Sequence, residues 1–351
     1  MHAAGLAQRP PTARAEAVAA ANRHVWLALG AGVLLVGGVL ACAGLMLRAR
    51  HGRTFEMVQF VHVHKAAGSS VCALLQDEGH APLDGNGWND CNPGHAGAER
   101  RPCTDPRASA FCVHGYDVCW LKGASPSDLE AGWSAHREDG VRVVASEGPV
   151  PAQRANSNNV AWITGLREPV ARQLSEYAWF KSFRCNAKHL KQLDERNETM
   201  QTDQCGCMQA PCGVSREAYL EAMCDNYMVR TFCPSLTTPG APVSREALAC
   251  AKVELARFDA VYVVERMDEG AALLRAKLGV WLGSGNVSQH NGGGSAPAVN
   301  VHEQHTSSSH APDTVTDVEA ALLASKTALD AELYEYAAAL FDAQMKRWRA
   351  R

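Results

Sequence analysis

The chain has 351 residues, is 46% hydrophobic and 20% charged, and carries a net charge of −3. That is the composition of a globular protein with room for one large or two ordinary domains, and it excludes a chain disordered throughout. The near-neutral balance also argues against a general nucleic-acid binder, and no nucleic-acid partner is expected.

The first element is apolar. Val25 to Leu47 runs for 23 residues without a charge, and at about 1.5 Å per residue a helix of that length spans the roughly 30 Å hydrocarbon core of a bilayer. We read it as a transmembrane helix; a cleaved signal peptide is the alternative, although such apolar cores usually run only about 7 to 15 residues. Arginines flank both ends (Arg9, Arg14 and Arg23 before, Arg48, Arg50 and Arg53 after), so positive-inside counting does not settle orientation. Thirteen cysteines and the tripeptides Asn197-Glu-Thr and Asn286-Val-Ser, which fit the N-glycosylation pattern, place the long C-terminal part in the lumen. The expected organisation is a cytoplasmic tail (1–24), a single span (25–47), a stem (48–56) and a lumenal domain (57–351).

Setting aside Cys42 in the span and Cys72 beside a glycine-bearing turn leaves 11 cysteines, an odd number, so at least one stays free or pairs outside that set. The run "CGCMQAPC" (205–212) invites a zinc reading, but it has neither a paired C-x-x-C nor neighbouring histidines; disulfides in a loop-rich insert are expected there, and no metal.

"MVQFVHV" (57–63) predicts a buried strand running into a helix from Gly68 to Leu75. Residues 76–110 are rich in Gly, Pro, Asn, Asp and Cys and predict a long cystine-tied loop. "VRVVAS" (141–146) and "NVAWITGL" (159–166) predict strands, and "EPVARQLSEYAWFKSF" (168–183) a helix with Pro169 in its first turn. After a polar, cysteine-rich insert (184–213), residues 215–232 and 244–258 each predict a helix behind a capping serine. "DAVYVVER" (259–266) predicts a strand and 268–278 a helix. Residues 284–297 and 302–312 read as loop, and 317–348 as helical in two pieces. Strands alternating with helices predict an α/β fold, a parallel sheet covered by helices on both faces.

Two strand ends carry the chemistry. In such sheets a ligand sits beyond the carboxyl ends of strands, where turn N–H groups and a helix N-terminus face an anion. "HVHKAAGSS" places Lys65, Ala66, Ala67, Gly68, Ser69 and Ser70 there. It is not a Walker A loop, which needs Gly-Lys-Ser/Thr, because Lys65 precedes the glycine. Gly68 allows close backbone approach, the serines donate hydrogen bonds, and Lys65 supplies a point charge. In "WITGLREPVARQLSEY" (162–177) Arg167 follows a strand and Ser175 lies two turns into the next helix. Two strand-end anion sites suggest a nucleotide with phosphates at both ends; an ordinary strand-to-helix turn and a surface arginine are the alternatives for each motif alone.

These motifs resemble the 5′-phosphosulfate loop and the 3′-phosphate motif of Golgi carbohydrate sulfotransferases that use 3′-phosphoadenosine 5′-phosphosulfate (PAPS), and the second is especially similar to heparan sulfate 6-O-sulfotransferases. "NYMVRTF" (226–232), "VYVVERMDEGAALLRAKLG" (261–279) and "LDAELYEYAAALF" (329–341) recur in the same order in that family. Its usual Lys-Thr-Gly-Gly-Thr is Lys-Ala-Ala-Gly-Ser here, one glycine and one hydroxyl fewer.

The resemblance implies a P-loop-like sulfotransferase fold and a single-pass type II protein of the Golgi membrane that moves a sulfonate from PAPS to a glycan hydroxyl, without a metal. It assigns Lys65 to the bridging oxygen and Arg167 and Ser175 to the ribose 3′-phosphate. For the proton acceptor, His114 falls where the family places a histidine, and Glu147 after "VRVVAS" is the rival. His62 and His64 straddle Val63 and so share one strand face, which predicts a packing role. Arg230, His302 and His305 are candidates for holding phosphate or acceptor. The basic run Lys181, Arg184, Lys188, Lys191 and Arg196 is a candidate contact for an acidic glycan. A P-loop kinase or nucleotidase and a non-catalytic glycan-binding ectodomain are the competing classes.

Overall fold

The structure is a computed structural model that describes residues 55–77, 126–138, 142–146, 149–151, 159–185, 191, 212–238, 240–281 and 314–350. All of these fall within one compact unit, Gly52–Arg351. The expected tail, the membrane span 25–47, most of the stem and both glycosylation tripeptides lie outside the described residues. None of the described helices is long and apolar enough to cross a membrane.

The described strands are β1 (Met57–His62), β2 (Val143–Ser146), β3 (Val160–Leu166) and β4 (Ala260–Val263). They form one sheet in the order β2-β1-β3-β4, every pair parallel. Each strand is buried along its whole length, as a parallel sheet covered on both faces requires. Alternation sends Met57 and Val61 into one core and Val58 and Phe60 into the other. Gln59 is the polar exception in β1; it is fully buried and accepts a hydrogen bond from Trp133 Nε1 at 3.0 Å.

The helices are α1 (Gly68–Asp77), α2 (Pro126–Glu138), α3 (Pro169–Trp179, continued by a π turn Phe180–Arg184), α4 (Arg216–Ala222), α5 (Tyr227–Phe232), α6 (Arg245–Ala256), α7 (Met267–Trp281) and α8 (Asp317–Arg349). Leu129 and Trp133 of α2, with residues of α5, α6 and α8, fill the core on one face. Val71, Leu74 and Leu75 of α1, with Leu273, Leu274 and Leu278 of α7 and Phe341 and Met345 of α8, fill the other.

Four expectations change. The helix α2 was not foreseen; its apolar residues Leu129 and Trp133 are one turn apart and only their burial against the sheet reveals them. The single helix expected over 215–232 is two, α4 and α5, separated by Met223–Asn226, where Asn226 takes a left-handed φ of 49°. The strand expected to Arg266 ends at Val263, and Val264–Arg266 is a 3₁₀ turn. The two-piece helix at 317–348 is one continuous α8.

The break between α4 and α5 is held by α8. Asn226 docks against the middle of α8, its Oδ1 accepting from the N–H groups of Leu329 (2.8 Å) and Asp330 (3.1 Å). Asp330 returns the contact, its carboxylate accepting from Met228 N (3.1 Å) and Val229 N (2.9 Å) and so capping α5.

Cys185 pairs with Cys212 and Cys233 with Cys250, with Cα separations of 5.4 and 5.8 Å. Cys212 ends the "CGCMQAPC" run, and its sulfur is thereby oxidised. Cys72, set aside on sequence, is also disulfide-bonded, as is Cys224. Counting Cys72 with the eleven cysteines considered for pairing makes twelve, an even number, which removes the need for an unpaired one.

Candidate active site

The strand order fixes where a ligand crevice falls. From β1 the chain moves outward to β2, then returns to lay β3 on the other side of β1 before moving on to β4. Connections leaving adjacent β1 and β3 therefore diverge, and the crevice beyond their carboxyl ends is a topological switch point. Lys65 stands three residues past the end of β1 and Arg167 one residue past the end of β3.

The β1–α1 turn is built for close backbone packing. Lys65 (φ 66°) and Ala67 (φ 61°) are both left-handed without being glycine. Such alternation of hand turns successive N–H groups toward one side, as anion-holding nests do. Val63 O receives Ala66 N at 2.9 Å, and Ala67 O receives Val71 N at 3.1 Å as α1 begins. Ala66 and Ala67 are buried, Ser69 is exposed, and Ser70 is buried.

Gly68 is needed for a reason the sequence did not disclose. A Cβ there would fall 1.9 Å from Cε1 and Nε2 of His62, which lies against it. His62 also stacks on Phe60, with centroids 5.5 Å apart. A cavity of about 200 Å³ opens beside Ser70 between α1 and α7, lined also by Leu74, Met267, Asp268, Ala271 and Arg275.

Arg167 comes directly onto this turn. Its Nη1 donates to the carbonyl oxygen of Lys65 at 3.3 Å. Burial lowers the guanidinium from its ordinary value, with Glu265 opposing. Glu168 then caps α3, its carboxylate accepting from Val170 N (3.1 Å) and Ala171 N (2.6 Å), with Pro169 next. Ser175 is half-buried on α3.

Beneath lies a charged cluster that sequence reasoning missed. Glu176 Oε2 sits 2.6 Å from His64 Nδ1 and 3.5 Å from Arg172 Nη1, with all three side chains buried. Arg172 Nη1 also donates to His64 O at 3.4 Å, and its guanidinium lies 4.4 Å from the Tyr227 ring centroid. Burial pushes the Glu176 carboxyl up, but His64 and Arg172 outweigh it and hold it below the ordinary range. Trp179, one turn on, meets both loop residues: the His64 ring edge-on at 4.8 Å and Lys65 Nζ at 5.4 Å from its centroid.

Arg172 Nε and Nη2, both amide atoms of Gln173, and Glu176 Oε1 are buried without a hydrogen-bond partner. Each such group costs roughly 1 to 3 kcal/mol, so stability alone does not select this face of α3. The signal in the sequence was the i, i+4 pair Arg172 and Glu176 inside the motif that carries Arg167.

The remaining candidates separate. His114, Glu147, His302, His305, Lys188 and Arg196 lie outside the described residues. Arg230 is not available to a ligand: it is buried against Asp225, the carbonyls of Asp225 (2.8 Å) and Thr238 (2.9 Å), and that of Ala241. His62 and His64 do not share a strand face, because β1 ends at His62 and His64 turns to α3.

Comparison with protein-family models and with curated proteins finds no match to this chain.

Proposed function

We propose that this chain is a Golgi type II membrane sulfotransferase that moves a sulfonate from PAPS to a glycan hydroxyl, and that its α/β domain is the sulfotransferase version of the P-loop-like fold. One observation carries the reading: Arg167 donates to the carbonyl oxygen of Lys65, which unites the two anion motifs at the switch point of a parallel sheet. Sulfonate transfer resembles phosphoryl transfer, so positioning and charge stabilisation dominate over covalent chemistry. In this reading Ala66, Ala67, Gly68, Ser69 and Ser70 cradle the 5′-phosphosulfate. Lys65 neutralises the bridging oxygen as it leaves, and Arg167 and Ser175 hold the ribose 3′-phosphate. The cavity beside Ser70 offers the nucleoside a place next to that loop.

The test uses the full chain in detergent, incubated with radiolabelled PAPS and a panel of polysaccharides, with thermal shift by 3′-phosphoadenosine 5′-phosphate (PAP) alongside. Transfer to a glycan and stabilisation by PAP are expected, and Lys65→Ala abolishes transfer. Stabilisation by ATP-Mg²⁺ in place of PAP would make the protein a kinase-like enzyme, and glycan binding without transfer a recognition module.

A further inference from the structure

We infer that His64, oriented by Glu176, is the proton acceptor for the incoming hydroxyl; this rests on the sulfonate-transfer reading above. An ionised carboxylate only accepts hydrogen bonds, so at the 2.6 Å contact with Glu176 Oε2 it is Nδ1 of His64 that carries the proton. In the neutral ring the basic lone pair is then on Nε2, the tautomer an imidazole base needs.

Position supports the assignment. Consecutive residues of an extended chain point to opposite sides, but the left-handed φ of Lys65 breaks that alternation. His64 and Lys65 therefore meet the same indole, Trp179. The group that would take the proton and the cation that would meet the leaving oxygen thus share one aromatic neighbour, Trp179. The charged groups facing this imidazole are Glu176 and Arg172 from α3 and Lys65 from its own turn. Arg172 is flanked by Tyr227 of α5 and influences Asp330 of α8.

The step balances without a further reactant. The acceptor oxygen forms a bond to sulfur as the bond from sulfur to the bridging 5′-phosphate oxygen breaks. The electron pair of that bond leaves with the oxygen, against Lys65. The hydroxyl proton passes to His64 Nε2, and the Glu176 carboxylate stabilises the imidazolium that forms. General-base help of this kind contributes roughly 10²- to 10⁴-fold in rate.

The experiment compares wild type, His64→Ala, His64→Gln and Glu176→Gln as full chains, measuring PAP affinity, melting temperature and the pH profile of kcat. Both His64 variants are expected to bind PAP within about threefold of wild type, to lose roughly 10²- to 10⁴-fold in kcat and to lose the acidic limb of the profile. Glutamine keeps a donor toward Glu176, so His64→Gln decides the matter if the alanine variant does not fold. Glu176→Gln, which removes the orienting charge together with its pairing to Arg172, is expected to shift the acidic limb with a smaller loss of rate. A His64→Gln enzyme that keeps its rate and its acidic limb overturns the inference, as does loss of that limb in His114→Ala or Glu147→Ala instead. Wild type that neither binds PAP nor transfers sulfonate removes the reaction itself, a result distinct from either.

Discussion

The guanidinium of Arg167 and the backbone carbonyl of Lys65, 102 residues apart in the chain, are joined by a hydrogen bond of 3.3 Å at the ends of adjacent strands. The arginine is thus a brace on the turn as well as a cation one residue past the end of β3. Replacing it with alanine should weaken PAP binding by roughly 10- to 100-fold, the range for a charge-assisted contact. Arg167→Lys keeps the charge but not the planar fork, and should recover only part of that loss. Titration calorimetry with PAP separates the two roles: unchanged affinity with a lowered melting temperature would leave Arg167 a brace alone.

The turn holds two residues whose mutations should act in opposite directions. Ala67 pays a left-handed φ of 61° that glycine adopts freely, so Ala67→Gly should raise stability by about 1 kcal/mol. Gly68→Ala drives a methyl into the His62 ring and should lower it by about 3 kcal/mol. Trimming the obstacle tests the cause. Gly68→Ala combined with His62→Ser should be less destabilised than the sum of the single changes, as read from denaturant unfolding.

What could be read from the sequence was local. Turn punctuation and apolar runs located the ends of β1 and β3, and so placed Lys65 and Arg167 just beyond their carboxyl ends. Their adjacency depends on strand order, a long-range pairing that no local period encodes. His64 was misplaced because period-2 alternation was carried past His62, where β1 ends and the chain enters the turn to α1. Cys72 looked like part of an anion site because it follows the serines; its burial on the sheet side of α1 and its disulfide are properties of packing. The capping serines Ser215 and Ser244 were legible, since each needs only its own next turn.

Glu319 links the start of α8 to α4 and should be felt in acid. It completes a capping box with Thr316 and takes both Nε (2.7 Å) and Nη2 (2.6 Å) of Arg216. Arg216, with the backbone N–H of Thr316, draws its carboxyl down to about 2. A carboxyl depressed in the folded state stabilises fully above its unfolded value near 4.5, and that contribution fades as pH falls toward 2. Glu319→Gln should therefore cost about 1 kcal/mol at neutral pH, in the range of a lost cap. Its melting temperature should converge on that of wild type as the buffer is taken from pH 5 toward about 2.

Asp330 has the opposite sign, because its two backbone donors do not offset full burial. Removal from water pushes its carboxyl up to about 6, against the hydrogen bonds from Val229 and Met228. A carboxyl raised in the folded state contributes most below its unfolded value of 3.8, and that contribution is lost as pH rises through about 6. Asp330→Asn removes the ionisation while keeping one acceptor for α5. The stability of wild type relative to this variant should fall by an amount on the order of 2 kcal/mol between pH 4 and pH 7.5. Asn226→Ala, which removes the reciprocal contact with Leu329 and Asp330, should destabilise by a similar amount at every pH. Parallel melting curves for wild type and Asp330→Asn across that range would show instead that the two N–H donors alone keep the carboxylate ionised.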